Sequence, residues 1–307
     1  MTHLRAIGLK LLSVAFFMAM ATCIKASAPG IPPGEAVFFR SFFAIPVILA
    51  WLIWRHDLSQ GLKTGNPMGH LWRGLVGTSA MALGFTALGL LPFPEVTAIG
   101  YARPLLTVAL AAMFLGENVR LFRLGAVLLG LAGVIVVLSP NLTLASLEQT
   151  GKLQTIGAMA ALMGAVFAAM AQVFVRKLVQ TEHTAAIVFY FSVTASLLSL
   201  LTAPCGWALP TLGEAALLVA AGVFGGVGQI LLTGSYRFAP ASVIAPFEYV
   251  SMLMALAIGY ALFGEVPTGT MLAGSALVVL AGLFIIWRER QLGLKRGAAR
   301  QAMTPQG

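Results

Sequence analysis

Long apolar runs separated by short polar connections dominate the sequence, and this pattern predicts the fold class. A helix needs about 20 predominantly apolar residues to cross a bilayer, and ten runs reach or approach that length. They lie near residues 5–26, 35–54, 71–91, 93–115, 121–139, 154–176, 184–203, 213–236, 241–263 and 269–288. Several connections carry Pro or Gly, which end helices. The pattern predicts an all-α polytopic membrane protein with ten transmembrane helices.

Composition supports a membrane protein and argues against a soluble one. The 307 residues are 59% hydrophobic and only 9% charged, whereas soluble domains carry about 25% charged residues. The net charge of +9 would fit a nucleic-acid partner only if the basic residues formed one face of a soluble domain. They lie instead in short segments between apolar runs, so we expect the lipid bilayer as partner and no nucleic acid.

The basic residues also predict the orientation of the chain. Cytoplasmic segments of membrane proteins carry an excess of Lys and Arg. With the N-terminus inside, 15 of the 19 basic residues fall in cytoplasmic segments and only Lys25 and Lys152 in outer ones. Both termini are therefore predicted to be cytoplasmic. The remaining two, Arg40 and Arg103, fall within predicted spans.

The second half of the chain resembles the first. The stretch "ALGLLPFPEVTAIGYARPLL" aligns with "SYRFAPASVIAPFEYVSMLM" at an offset of 148 residues, so that Pro92 meets Pro240 and Tyr101 meets Tyr249. Five helices per copy is an odd number, so the second copy enters the membrane inverted, a design found in secondary transporters. We expect a first repeat at 5–139, an inverted second repeat at 154–288, and a basic cytoplasmic tail at 289–307, disordered beyond about residue 295.

These features together resemble a known family. The duplication, the "FFRSFFA" segment in the second span and the Gly-Glu pairs closing the fourth and ninth spans are similar to those of the drug/metabolite transporter superfamily, and the chain resembles an EamA-type carrier with two EamA repeats. The resemblance implies an inner-membrane (plasma-membrane) carrier that moves a small organic metabolite by alternating access. Amino acids, vitamins such as flavins, and nucleoside-like solutes are all compatible with it.

A carboxylate inside the ninth span is the first candidate for chemistry. Glu248 lies in "VIAPFEYVSMLMALAIGYALF", about seven residues or roughly 10 Å inside the predicted helix. A charge at that depth facing lipid costs about 2.5 kcal/mol or more, so Glu248 must face a cavity, find a partner or bind a proton. Pro246 is expected to open the helix locally. Glu248 is therefore predicted to bind substrate or the coupling proton, with a structural salt bridge as the alternative.

Five further residues complete the predicted substrate site. One is the cation expected to pair with Glu248, two are tyrosines and two are glutamines. Arg103 lies in the fourth span, the repeat mate of the ninth, and either pairs permanently with Glu248 or binds an anionic or carbonyl group of the substrate. Matched Tyr101 and Tyr249 would clamp a flat ring or pack. An amide facing lipid is unfavourable, which predicts that two glutamines line the cavity: Gln172 and Gln229.

The other charged residues near the helix ends are expected to serve the membrane interface. Lys10, Lys25 and Arg40 are predicted to extend their charged ends towards the headgroups. Glu265 is predicted to match the N-terminal charge of the next helix, with gating as the alternative.

Enzymatic chemistry finds little support in the sequence. It has no GxSxG elbow, no phosphate-binding loop of the Walker type and no intramembrane histidine cluster. We expect no catalytic residues, no cofactor and no metal. A membrane-embedded enzyme or lipid-modifying protein stays as the alternative to a carrier. A channel would more often assemble symmetric subunits, whereas this chain carries its own inverted pair, and we expect a functional monomer.

Overall fold

The computed structural model describes residues 2–103, 105–107, 110, 121–138, 149–238, 247–248 and 250–302. Within these ranges every regular element is a helix, which agrees with the predicted fold class. The α-helices are α1 Thr2–Ser27, α2 Pro33–Phe42, α3 Ala44–Trp54, α4 Leu58–Gly61, α5 Pro67–Leu90, α6 Phe93–Gly100, α7 Leu121–Leu138, α8 Gln149–Leu178, α9 Thr184–Leu200, α10 Leu212–Phe238, α11 Val250–Phe263 and α12 Gly269–Ala302. A 3₁₀ turn covers Ala203–Cys205.

Several helices are suited to a bilayer by length and composition. Four segments among the described residues are long and apolar enough to cross it: Leu4–Ser27, Pro33–Trp54, Lys152–Val175 and Leu212–Ser235. Four shorter apolar helical segments accompany them: Leu128–Val137, Thr184–Leu200, Val250–Phe263 and Gly269–Phe284. The count of ten spans stays a prediction.

The second predicted span is two helices rather than one. α2 and α3 meet at Phe43, whose φ of −75° and ψ of −9° remain in the right-handed helical region. Pro46 has no backbone N–H to donate to the carbonyl of Phe42, and the loss of such a bond interrupts a helix. The chain direction is kept, so Pro33–Trp54 still forms one candidate span.

The fourth and ninth predicted spans are also interrupted, and both interruptions occur at the candidate site. α6 ends at Gly100, Tyr101 forms a turn, and the described residues beyond it are again helical. Residues 247–248 form a 3₁₀ turn, and α11 begins only at Val250. Glu248 therefore lies before a helix start rather than seven residues inside a continuous helix. Pro246, expected to open this helix, lies outside the described residues.

The C-terminal helix is longer than the sequence predicted. α12 continues to Ala302, whereas disorder was expected beyond about residue 295. The segment after the apolar run contains Leu, Lys, Arg, Ala and Gln, which are all strong helix formers. A polar composition therefore does not end this helix.

The helices pack in pairs that join the two halves of the sequence. α1 packs along α10, α5 along α8, and α7 along α12, while α9 contacts both α2 and α5. Glycines allow the closest of these contacts: a Cβ at Gly133 in α7 would lie 2.8 Å from the Gly274 carbonyl in α12. Small residues at helix interfaces let the backbones approach in this way.

Candidate functional site

A cavity of about 240 Å³ lies where α5, α6 and α8 meet the two interrupted segments. Alanines and glycines on α5 and α8 form its walls, and their small side chains leave the cavity open. Polar groups of its lining come from Tyr101 and Arg103 and from the turn before α11. The lining residues are Ala80, Gly84, Val96, Thr97, Gly100, Tyr101, Arg103, Ala161, Gly164, Ala165, Ala168, Glu248 and Ser251.

Three charged groups meet at one wall of this cavity. Glu248 forms an ion pair with Arg103 through one carboxylate oxygen, and Lys10 Nζ lies 3.4 Å from the other. The Lys10 side chain is 5% exposed and that of Glu248 18%, whereas Arg103 is 43% exposed. Arg103 therefore presents much of its surface at the cavity while Lys10 anchors the carboxylate from behind. The group carries one net positive charge.

A chain of hydroxyl groups fixes the same segment. The hydroxyl of Ser251 donates to the Glu248 carbonyl at 2.6 Å, and the hydroxyls of Tyr101 and Ser251 are 2.8 Å apart. A serine hydroxyl has one proton to donate, so Tyr101 is the donor in the second bond. Tyr101 is only 3% exposed. Its phenol therefore holds the turn that carries Glu248 against the interrupted segment that carries Arg103.

The structure brings together three of the six predicted site residues: Arg103, Glu248 and Tyr101. Tyr249 lies outside the described residues. Gln172 in α8 and Gln229 in α10 do not line this cavity. Gln229 is buried, and the Gln172 amide nitrogen is buried with no acceptor within the described part of the chain. The binding roles of all six residues stay predictions.

Sequence reasoning missed two residues of this cluster, Lys10 and Ser251. Lys10 was expected to reach the headgroups but is buried against Glu248. A signal existed in α1: Ser13 follows Lys10 by three residues, which places both on one helix face. Ser13 donates to the Gly228 carbonyl of α10 at 2.8 Å, so this polar face packs on protein. Ser251 carried no comparable signal, because isolated serines are common in apolar helices.

A second ion pair, between Lys25 and Glu265, links the C-terminal end of α1 to the start of α6. Lys25 Nζ lies 2.9 Å from Glu265 and donates to the Leu91 carbonyl at 2.6 Å. Glu265 also accepts from the backbone N–H of Phe93 at 2.7 Å. Glu265 thus caps α6, which lies far from it in sequence, instead of the following helix. Lys25 pairs within the protein, and its expected extension to the headgroups is not what the structure shows.

The chain is similar to known membrane transporters. Residues 4–139 and 155–287 each match the EamA-like transporter family. An S-adenosylmethionine uptake transporter of Rickettsia bellii is 28% identical over 96% of this chain and 98% of its own length. The pseudopaline exporter CntI of Pseudomonas aeruginosa strain UCBPP-PA14 is 30% identical over 86% and 90%, and a riboflavin transporter of Vibrio cholerae is 28% identical over 88% and 88%.

A solved crystal structure shares the fold. It superposes with a TM-score of 0.66 and 22% sequence identity, covering 94% of this chain and 98% of the other.

Proposed function

Because this chain belongs to the EamA-like transporter family, we propose that it is a secondary transporter that moves a small organic solute by alternating access. Its relatives are bacterial transporters of small molecules, and it is itself a multi-pass protein of the inner membrane. The relatives include both uptake and export proteins, so family membership leaves the direction of transport open.

The observation that carries the proposal is the charged wall of the cavity. Three ionised side chains inside a bilayer-spanning protein are costly and mark substrate or ion pathways. Arg103 offers a partly exposed guanidinium for an anionic or carbonyl group, and Glu248 offers a carboxylate for a cationic one. A zwitterionic metabolite satisfies both. The cavity is smaller than the roughly 300–1,000 Å³ of sites for drug-sized ligands, which favours a solute of amino-acid size.

Helix packing supports an inverted repeat as the framework of transport. At the offset of 148 residues, α8 corresponds to α1 and α10 to α5. α1 packs on α10 while α5 packs on α8, and the two last helices α7 and α12 pack together. Such reciprocal exchange is expected for repeats related by a two-fold axis in the membrane plane. We propose that the two repeats rock around the cavity, with both termini on the cytoplasmic side.

Glu248 is the proposed coupling group. When Glu248 is ionised it holds Lys10 and Arg103, and a proton on it would release both cations to a solute. Transport could be coupled to proton exchange at Glu248 or could proceed by facilitated diffusion, and the following experiment distinguishes the two. Solute flux in proteoliposomes should depend on an imposed pH gradient in the wild type and lose that dependence in Glu248→Gln. An unchanged pH dependence in Glu248→Gln excludes proton coupling at this residue.

A ligand screen by thermal stability tests the transporter proposal. Purified protein in detergent is heated with amino acids, flavins, nucleosides and S-adenosylmethionine, since a ligand at about 100 times its Kd stabilises the folded state by roughly 2.7 kcal/mol. We expect one solute class to raise the melting temperature, and Arg103→Ala and Glu248→Gln to lose the effect. Glu214→Gln is the matched control, because this carboxylate bonds Thr211 at the start of α10, away from the cavity. Equal stabilisation of all variants contradicts the site.

A further inference from the structure

Two arginines are buried together outside the cavity. Arg40 on α2 is 3% exposed and Arg73 on α5 is 6% exposed. Both guanidinium carbons lie over the ring of Phe191 on α9, at 5.5 Å and 3.9 Å from its centroid. Arg40 was expected to reach the outer headgroups, but the ring and α10 enclose it. These two side chains are the arginine pair.

Buried cations are ordinarily paired with an anion, and within the part of the chain that the structure describes the arginine pair has none. The Nε and Nη1 atoms of both Arg40 and Arg73 are buried with no acceptor among the described residues. Arg40 Nη2 makes one long bond, 3.4 Å, to the Gly225 carbonyl, and within the described ranges neither arginine forms an ion pair. The ring of Phe191 attracts a cation electrostatically, but it carries no negative charge that would neutralise the two guanidinium groups.

The two cations also repel each other. Both distances to the Phe191 centroid are short, so the guanidinium carbons lie within about 10 Å, where like charges interact strongly in a medium of low dielectric constant. Buried charges in proteins are ordinarily paired with an opposite charge or bound to a ligand. An anionic group contacting both arginines would remove the unpaired charge and the repulsion together.

Glycines at matching positions of the two repeats make room for the pair. A Cβ at Gly77 in α5 would overlap Arg73 Nη1, and a Cβ at Gly225 in α10 would lie 2.8 Å from Arg40 Nε. Gly225 is the residue 148 positions after Gly77, the offset of the internal repeat. Space for each guanidinium is therefore present at the same place in both halves of the chain.

The arginine pair is separate from the cavity but close to it. Neither arginine lines the cavity. Arg73 precedes the lining residue Ala80 on α5 by seven residues, or roughly 10 Å. The four helices around the pair are α2 and α5 from the first half of the chain and α9 and α10 from the second, so an anion bound here would contact both halves.

We propose that Arg40 and Arg73 form a binding site for an oxyanion of the carboxylate or phosphate class. The planar fork of a guanidinium donates two parallel hydrogen bonds to such groups, and the unpartnered nitrogens of the pair supply them. The oxyanion is either a free anion or the carboxylate of a solute that extends from the cavity. The site is defined by binding, so it does not depend on the transport proposal.

The test measures the melting temperature of the full-length protein in detergent against increasing acetate and inorganic phosphate. Ionic strength is held constant with sodium chloride, whose anion is not an oxyanion. We expect a saturable rise in the wild type. In Arg40→Gln and Arg73→Gln the apparent affinity should fall about tenfold or more, since a hydrogen bond to a charged group is lost. Arg73→Lys keeps the charge without the fork and should be intermediate, which covers the case of a Gln variant that does not fold.

Arg55→Gln is the matched control. Arg55 also lies over an aromatic ring, 5.4 Å from the centroid of Trp51, but it is exposed. It should leave the anion dependence unchanged. The absence of a saturable rise in the wild type, or an equal rise in Arg40→Gln, Arg73→Gln and Arg73→Lys, overturns the proposal.

A second arm of the experiment separates the two sources of the oxyanion. If the carboxylate belongs to a solute, zwitterionic amino acids should stabilise more than acetate, and Glu248→Gln should lose their effect as Arg73→Gln does. If the anion is free, acetate and phosphate should act alike in the wild type and Glu248→Gln. A failed ligand screen at the cavity leaves the acetate and phosphate result readable, so the two proposals fail independently.

Discussion

The cavity cluster and the arginine pair handle buried positive charge in different ways. In the cavity, Arg103 and Lys10 share the carboxylate of Glu248, and a hydroxyl chain fixes the segment that carries it. In the pair, Arg40 and Arg73 lie over the same Phe191 ring, one glycine leaves room for each, and neither forms an ion pair among the described residues. The first cluster holds one unit of excess charge and the second holds two.

This difference indicates what each region requires from outside the protein. The cavity cluster is nearly balanced, so a solute has to compete with an internal ion pair and can be released when that pair re-forms. The arginine pair has no internal competitor among the described residues, so it should hold an anion longer. Weak, exchangeable binding suits a transport step, and firmer binding suits a structural or regulatory contact between the repeats.

Removing the carboxylate from the cavity should have the largest effect, because it makes the two regions alike. Glu248→Gln removes the carboxylate that the buried Lys10 and the partly exposed Arg103 share. Loss of one partner of a fully buried pair costs about 3–5 kcal/mol, and because solvent reaches Arg103 we expect a loss of about 2–3 kcal/mol in chemical unfolding of the purified protein. The double variant Lys10→Met/Glu248→Gln should recover part of it. A Glu248→Gln protein within about 1 kcal/mol of wild type would contradict the balanced cluster.

Filling a guanidinium niche should have the next largest effect. Gly77→Ala places a Cβ on Arg73 and 2.8 Å from the ring of Phe191. Overpacking of this kind costs about 1–3 kcal/mol. Gly234→Ala in α10 is the control, since a Cβ there meets nothing within 4 Å, and it should be neutral or stabilising by up to about 1 kcal/mol through helix propensity. Equal melting temperatures for the two variants would show that the niche is not needed.

A smaller effect is expected at the hydroxyl chain of the cavity. Tyr101→Phe keeps the ring and removes the bond to Ser251, at a cost of about 0.5–1.5 kcal/mol. The loosened turn should weaken binding of any solute that Glu248 recognises more than it lowers the melting temperature. Calorimetric titration of that solute into Tyr101→Phe and wild type provides the measurement. An unchanged Kd would show that the Tyr101 hydroxyl does not contribute to solute binding and that the ring only packs.

Replacing Glu182, which lies outside both regions, should have the smallest effect on stability at neutral pH. Burial raises the pKa of Glu182, but the hydrogen bond from the Gly65 backbone, the nearby His70 imidazole and Thr64 outweigh it and hold that pKa below its ordinary value. The stability from this depressed pKa is present above the unfolded-state pKa of about 4.3. It is lost as pH falls through the lower folded-state pKa. Melting curves from neutral to acidic pH should show this acid loss in wild type and less of it in Glu182→Gln.

Sequence reasoning predicted the fold class and the central ion pair for the same physical reason. Apolar runs identify bilayer-length helices, and opposite charges inside such runs must find each other, which led to Arg103 and Glu248. It predicted a local opening of the ninth span before Glu248, but it did not predict the break at Phe43. The break at Phe43 depends on Pro46, whose effect varies with the surrounding helices, and periodicity does not record that.

Side-chain direction is what the sequence could not supply. Lys10, Lys25 and Arg40 were assigned to the headgroups because their distance from a helix end was the only information available. Each instead contacts a residue from a distant part of the chain: Lys10 contacts Glu248, Lys25 contacts Glu265, and Arg40 lies over Phe191. Such neighbours come from distant parts of the chain and become visible only once the helices are packed.

Uptake of a defined metabolite mixture into proteoliposomes tests the central claim most directly. Vesicles with wild type, Glu248→Gln or no protein are incubated with amino acids, flavins, nucleosides and S-adenosylmethionine, and their contents are identified by mass spectrometry. The account predicts that at least one small organic solute enters wild-type vesicles faster than empty ones, and that Glu248→Gln abolishes most of this uptake. Uptake equal in wild-type and Glu248→Gln vesicles, or no uptake above empty vesicles for any solute, would contradict it.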